Sequence, residues 1–173
     1  ENIPFPYVAE VNAENVYVRS GPGINYYRCS KLSTPTKVKV ISHKFSWSMI
    51  VGAERNFSWI SKSFVKVDMS NPDFGVVTGD AVRVYSGSEY RGPIHSDRSQ
   101  LKLNTGDKIR LLGEEKDEYY KIAPPNGAYF WIKTQYLKPL PGIKDVAPPT
   151  VEPIPTKTPV VKTPKTDKLP VQV

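Results

Sequence analysis

A chain of 173 residues, 39% hydrophobic and 24% charged, has room for one medium or two small globular domains. No stretch approaches the roughly 18–20 consecutive apolar residues of a membrane-spanning helix, and the single Cys29 excludes an internal disulfide framework and a cysteine-cluster zinc site. The net charge of +7 is uneven: residues 11–67 hold nine Lys/Arg against Glu14 and Glu54, whereas residues 75–138 hold ten against eight acids, so the first segment is expected to draw phosphates or carboxylates.

The chain opens on Glu1, and its methionines are Met49 and Met69. Removal of a signal peptide would explain such a start, as would a cloned fragment; export to the periplasm, cell surface or medium is expected. Residues 1–10 read as an N-terminal extension. An internal repeat then sets the organisation. Val16-Tyr17-Val18-Arg19-Ser20-Gly21 aligns with Val82-Arg83-Val84-Tyr85-Ser86-Gly87. Lys31-Leu32…Lys37-Val38 aligns with Lys102-Leu103…Lys108-Ile109, and Phe57-Ser58-Trp59-Ile60 with Tyr129-Phe130-Trp131-Ile132. The offset grows from 66 to 71 to 72, which places about five extra residues of the second copy in a surface loop between Glu89 and Ser99.

Within each copy the apolar residues alternate with period two, as in half-buried strands. Val16 and Val18 alternate with Tyr17 and Arg19, Val38 and Val40 with Lys37 and Lys39, and Ile109 and Leu111 with Lys108 and Arg110. Ser20-Gly21-Pro22-Gly23, Thr34-Pro35, Asn104-Thr105-Gly106-Asp107 and Pro124-Pro125-Asn126-Gly127 read as turns. No apolar helical period runs beyond about two turns. A copy of roughly 60 residues is near the lower limit for a core without disulfides, and closure into a barrel removes exposed edges.

The run Val16-Tyr17-Val18-Arg19-Ser20-Gly21-Pro22-Gly23, followed by Leu32, Val38-Lys39-Val40, Trp47-Ser48-Met49-Ile50 and Ser58-Trp59-Ile60…Phe64-Val65, resembles the bacterial SH3-like (SH3b) domains. The second copy supplies Leu103, Ile109-Arg110-Leu111, Tyr119-Tyr120-Lys121-Ile122 and Phe130-Trp131-Ile132…Tyr136-Leu137. It departs from the pattern at Tyr119, where the family favours Trp, at Phe130, and at Ser58 of the first copy, where it favours Gly. The resemblance implies an all-β protein of two small SH3-like barrels in tandem. The expected division is 11–67 for the first barrel, 68–74 for a linker, 75–138 for the second barrel and 139–173 for a disordered proline-rich tail.

Catalysis is not expected. Wall peptidases that carry such domains use a Cys and a His, but Cys29 lies in Tyr-Tyr-Arg-Cys-Ser with no helix start to acidify its thiol. His43 and His95 are the only histidines and read as surface residues, and no cofactor or metal is expected. Glu114-Glu115-Lys116-Asp117-Glu118 lacks the spacing of a calcium loop and reads as a solvated hairpin tip. Binding is the expected role. Aromatic residues can cover sugars or peptide stems while arginines pair with anions. The candidates are Arg19, Tyr26, Tyr27, Arg28 and Trp47 in the first copy, and Tyr85, Tyr90, Arg91, Tyr119 and Tyr120 in the second. Tyr26, Tyr27 and Tyr90 are expected exposed; Trp59 and Trp131 are expected in the core.

Implied partners are cell-wall glycopeptide or an envelope protein. The alternatives are a protein–protein adaptor unrelated to the wall, or the targeting portion of a wall hydrolase. Nucleic acid, which would exploit the same mixture of bases and aromatics, is disfavoured by export. The tail holds nine of the 17 prolines and reads as an extended spacer. No two of its prolines are three apart, so it lacks the Pro-x-x-Pro spacing that docks into SH3 grooves.

Overall fold

The computed structural model describes residues 2–144. The first half of the chain contributes β1 (Tyr7–Val11), β2 (Val16–Arg19), β3 (Arg28–Leu32), β4 (Lys37–Lys44), β5 (Trp47–Val51), β6 (Ser58–Ser61) and β7 (Val65–Val67). The second contributes β8 (Phe74–Val77), β9 (Val82–Ser86), β10 (Ser99–Leu103), β11 (Lys108–Lys116), β12 (Tyr119–Ile122), β13 (Phe130–Lys133) and β14 (Leu137–Pro139). Single 3-10 turns at Lys62–Phe64, Pro93–His95 and Thr134–Tyr136 are the only helical segments among the described residues. The fold is all-β, as expected, in two curled antiparallel sheets of seven strands.

The sheets do not coincide with the repeats. One has the order β14-β1-β4-β5-β13-β2-β3 and the other β10-β9-β6-β12-β11-β8-β7. Each half has lent its sixth and seventh strands to the other. Phe130 faces Ile50 and Ile132 faces Ser48 in the first sheet; Ser58 faces Ile122 and Ile60 faces Tyr120 in the second. The register is the same in both: Ile60 and Ile132 hold equivalent inward positions, while buried Ser58 stands where the other arm has Phe130. The expected self-contained units 11–67 and 75–138 are thus corrected to two interlocked sheets, joined by the crossing segments 52–57 and 123–129.

Burial holds the exchange in place. Phe130, Ile132 and Leu137 complete a core of Val11, Val16, Val18, Leu32, Val38, Val40 and Ile50. Ile60, with half-buried Val65 and Val67 against it, completes a core of Val77, Val82, Val84, Ile109, Leu111 and Ile122. Each large apolar side chain taken from water contributes roughly 1.5–3 kcal/mol, so neither sheet retains its core without the other half's arm. Trp59 and Trp131 are buried, as expected.

Three further boundaries move. The extension 1–10 runs into β1, whose Val8, Ala9 and Val11 are fully buried and which lies between β4 and β14. Adjacent buried Val8 and Ala9 interrupt the period-two alternation, which is why the strand was not expected. The linker 68–74 is a turn over 68–73, gathered by Asp68, whose carboxylate accepts from the Ser70 N–H and hydroxyl and from the Asn71 N–H; Phe74 already opens β8. At the other end Pro139 closes β14, and the Leu140 N–H donates to the Val8 carbonyl at 2.9 Å. Most of the expected tail, from residue 145 on, lies outside the described residues.

Candidate functional site at the seam

The seam between the sheets is built on the β2–β3 loop. Gly21 is required there because a Cβ would run into the Tyr26 ring. The loop is then pinned from below: Arg19 Nη1 donates to the carbonyls of Ile24 at 3.1 Å and Tyr26 at 2.8 Å, and the Ser20 N–H donates to the Tyr27 carbonyl at 3.0 Å.

The longer loop of the second half, 87–98, lies across this one. Glu89 N–H donates to the Cys29 carbonyl at 2.8 Å, and the Ser88 hydroxyl to the Arg28 carbonyl at 2.6 Å, so residues 88–89 run along the open edge of β3. Arg55 clamps Glu89 with both ends of its guanidinium at 3.0 Å. Tyr27 fastens the loop bases: its hydroxyl donates to the Ser86 carbonyl at 2.8 Å and accepts from the Arg98 N–H at 3.3 Å. Burial drives its phenol well above the ordinary tyrosine range. Tyr27 is therefore half-buried and packed on the first core, which corrects the expectation that it is exposed; its partners lie 59 and 71 residues away, beyond the reach of local pattern.

Six of the ten candidates meet here. Arg19, Tyr26, Tyr27, Arg28, Tyr90 and Arg91 line one depression of about 350 Å³ with Ile24 and Asn25. Tyr90 and Arg91 thus belong with the first half's candidates rather than with those of their own repeat. Tyr17 was not foreseen: it points outward from β2, its ring edge meets Tyr90 at 5.9 Å, and Arg28 and Lys31 lie 4.3 and 4.8 Å from its centroid. The outward positions of the alternation were its available signal. Arg98, over Tyr26 at 5.0 Å, had none.

The remaining four lie elsewhere. Trp47 is only 6% exposed and floors an adjoining depression with Tyr17, Arg19, Ile24, Lys133 and Tyr136. Tyr85 and Tyr119 meet edge to face at 6.3 Å on the second sheet. Tyr120 packs against the second core, with Lys62 Nζ 5.4 Å from its ring.

The seam carries four arginines that make no ion pair. Among the described residues the ion pairs are Arg55–Glu89, Lys62–Glu115 and Lys121–Glu114; Arg19, Arg28, Arg91 and Arg98 have no carboxylate partner there. Burial, then repulsion from Arg28, lowers the Arg19 pKa. A bound anion would relieve that crowding, and guanidinium forks fit carboxylate and phosphate oxygens. Cys29, buried in β3, is no rival centre: burial pushes its thiol up to about 12, against the pull of Arg91 and Arg19, so it is a neutral thiol at pH 7. His43 is occupied with the Tyr7 hydroxyl at 2.8 Å. Comparison of the chain with protein-family models, curated proteins and solved structures returns no match.

Proposed function

We propose that this protein is an exported, non-catalytic binding module of the cell envelope, with its ligand site at the seam. Its two curled sheets are read as a pair of bacterial SH3-like barrels, and its C-terminal residues as a proline-rich tether. The reading rests on one observation: Arg19, Arg28, Tyr90 and Arg91 converge on one depression, and none of the three arginines is in an ion pair among the described residues. Such a site selects an anion that also offers polar surface to tyrosine, and the free carboxylates of cell-wall glycopeptide meet both demands.

Co-sedimentation with purified sacculi, before and after enzymatic removal of the stem peptides, tests this. Binding that falls on removal of the stems, and again on Arg28→Glu with Arg91→Glu, is the expected result. Protein that stays in the supernatant with intact sacculi at low ionic strength ends the wall reading.

A further inference from the structure

The β4–β5 and β11–β12 hairpins hold equivalent places in the two repeats. Lys44 faces Trp47 across the first and Lys116 faces Tyr119 across the second, so each turn has two central residues. Turns of that length put a positive φ on a central residue, which favours Gly, Asn or Asp. The second repeat has Asp117 at φ +49° and Glu118 at +65°. The first has Phe45 at +55°, the one aromatic with a positive φ among the described residues. A bulky side chain is disfavoured in that region. Burial does not offset the strain, because Phe45 is 85% exposed. A residue both strained and unburied points to a contact outside the chain.

The surroundings of the tip say what kind of contact. Two residues back on β4, the His43 ring meets Phe5 edge to face at 4.9 Å, and Phe5 is 47% exposed. At 150–250 Å² for a whole aromatic side chain, the two phenylalanines offer roughly 200–330 Å² of apolar surface. A stable protein interface takes about 800 Å² from each partner, so a second copy or a folded partner is poorly served. A bilayer surface needs only one or two aromatics at headgroup depth and a cation beside them. Lys44 is that cation, its Nζ 5.8 Å from the Phe45 centroid on a stem long enough to snorkel. Residues 39–51 contain no acid. Lys133, opposite Trp47, shares its depression with Glu14, which leaves Lys44 as the charge of the tip. The net charge of +7 draws the whole chain toward anionic headgroups. We infer that the β4–β5 tip is a wedge for an anionic lipid surface. Phe45 enters the headgroup layer, Phe5 follows at its edge, and Lys44 stays with the phosphates. The wedge is separate from the seam and does not depend on the seam's ligand.

The test is flotation of the full chain with vesicles of phosphatidylcholine, alone or with an equal part of phosphatidylglycerol. The chain should float with the mixed vesicles and much less with the neutral ones. Phe45→Gly should weaken binding to the mixed vesicles at least about tenfold, the effect of one aromatic side chain no longer buried. It should melt no lower than the wild type, since glycine adopts that φ freely. Phe45→Trp should keep the binding. Its added emission should shift to the blue with mixed vesicles and be quenched by brominated acyl chains. A wild type left unbound by the mixed vesicles overturns the inference. So does Phe45→Gly floating as well as the wild type, or Phe45→Trp bound with neither shift nor quenching. A wild-type dimer that Phe45→Gly converts to monomer also overturns it and assigns the tip to a second copy.

Discussion

The Tyr27 hydroxyl and the Ser86 carbonyl, 2.8 Å apart, join the turn after β2 to the equivalent turn after β9. One phenol thus ties the two repeats together at the base of both loops that form the seam, with the Arg98 N–H as its second partner.

Tyr27→Phe is expected to cost about 1–3 kcal/mol, since it leaves a half-buried carbonyl and N–H short of a partner. Tyr27→Ala with Arg28→Ala removes core packing as well and should cost more, about 3–5 kcal/mol, almost all of it from Tyr27. Arg28→Ala alone, at an exposed position, should stay within about 0.5 kcal/mol. Urea denaturation of the three variants checks the ranking.

Fragments 1–73 and 74–144 should each be unfolded alone, because each holds five strands of one sheet and an arm that lies in the other. Mixed, they should assemble into a one-to-one complex with the β signature of the intact chain. Ile60→Ala, made in the first repeat, should destabilise the second core by about 2–5 kcal/mol while the whole chain still unfolds in one transition. Circular dichroism and sedimentation of fragments and mixture decide the matter, and a fragment that folds alone contradicts the exchange.

Gly87→Ala should be among the most damaging small substitutions, because a Cβ there meets both the ring and the carbonyl oxygen of Phe57, and neither has room to move. A loss of about 1–3 kcal/mol or more is expected. Gly106→Ala serves as the comparison: its φ is +93° but nothing lies within 4 Å of an added Cβ, so only backbone strain of about 1 kcal/mol is at stake. Thermal melts of the two variants separate a steric requirement from a conformational one.

Alkaline pH should weaken the fold through the seam. Cys29 is held as a thiol up to about 12, whereas an unfolded cysteine ionises near 8.5. The folded chain therefore keeps a proton that the unfolded chain releases, and stability falls as pH rises from about 8.5 toward 12. Tyr27, raised in the same direction, adds to the fall above about 10. Cys29→Ala should flatten the decline between about pH 9 and 10 by up to about 1.4 kcal/mol per pH unit. Denaturant titrations across that range provide the check, and Cys29 in the native wild type should resist iodoacetamide until the chain unfolds.

The strands with clean alternation were legible from their period-two pattern alone: Val16 and Val18, Val38 and Val40, and Ile109 and Leu111 all face inward. The exchange was not legible, for a definite reason. Trp59-Ile60 and Trp131-Ile132 carry the same pattern into the same register, so that pattern does not tell which sheet an arm joins. The site was half legible. Residue type identified the arginines and tyrosines of the seam, but only the crossing of loop 87–98 over β3 could bring Tyr90 and Arg91 to Arg28. The same crossing turned Tyr27 from a surface residue into a fastener.

The pairing of β1 with β14 sets how the fold bears a load. Because these strands are antiparallel, with Ala9 opposite Pro139 and the Leu140 N–H on the Val8 carbonyl, the chain enters and leaves the first sheet side by side at one end. A pull between those two points opens the pair like a zipper, one hydrogen bond after another, and yields at low force. The next strand on that side of the chain is β13, held between β5 and β2 with Phe130 and Ile132 sunk in the core, so opening beyond β14 also takes apolar side chains out of the core. Pulled at those two points, the module gives its first slack at the β1–β14 pair.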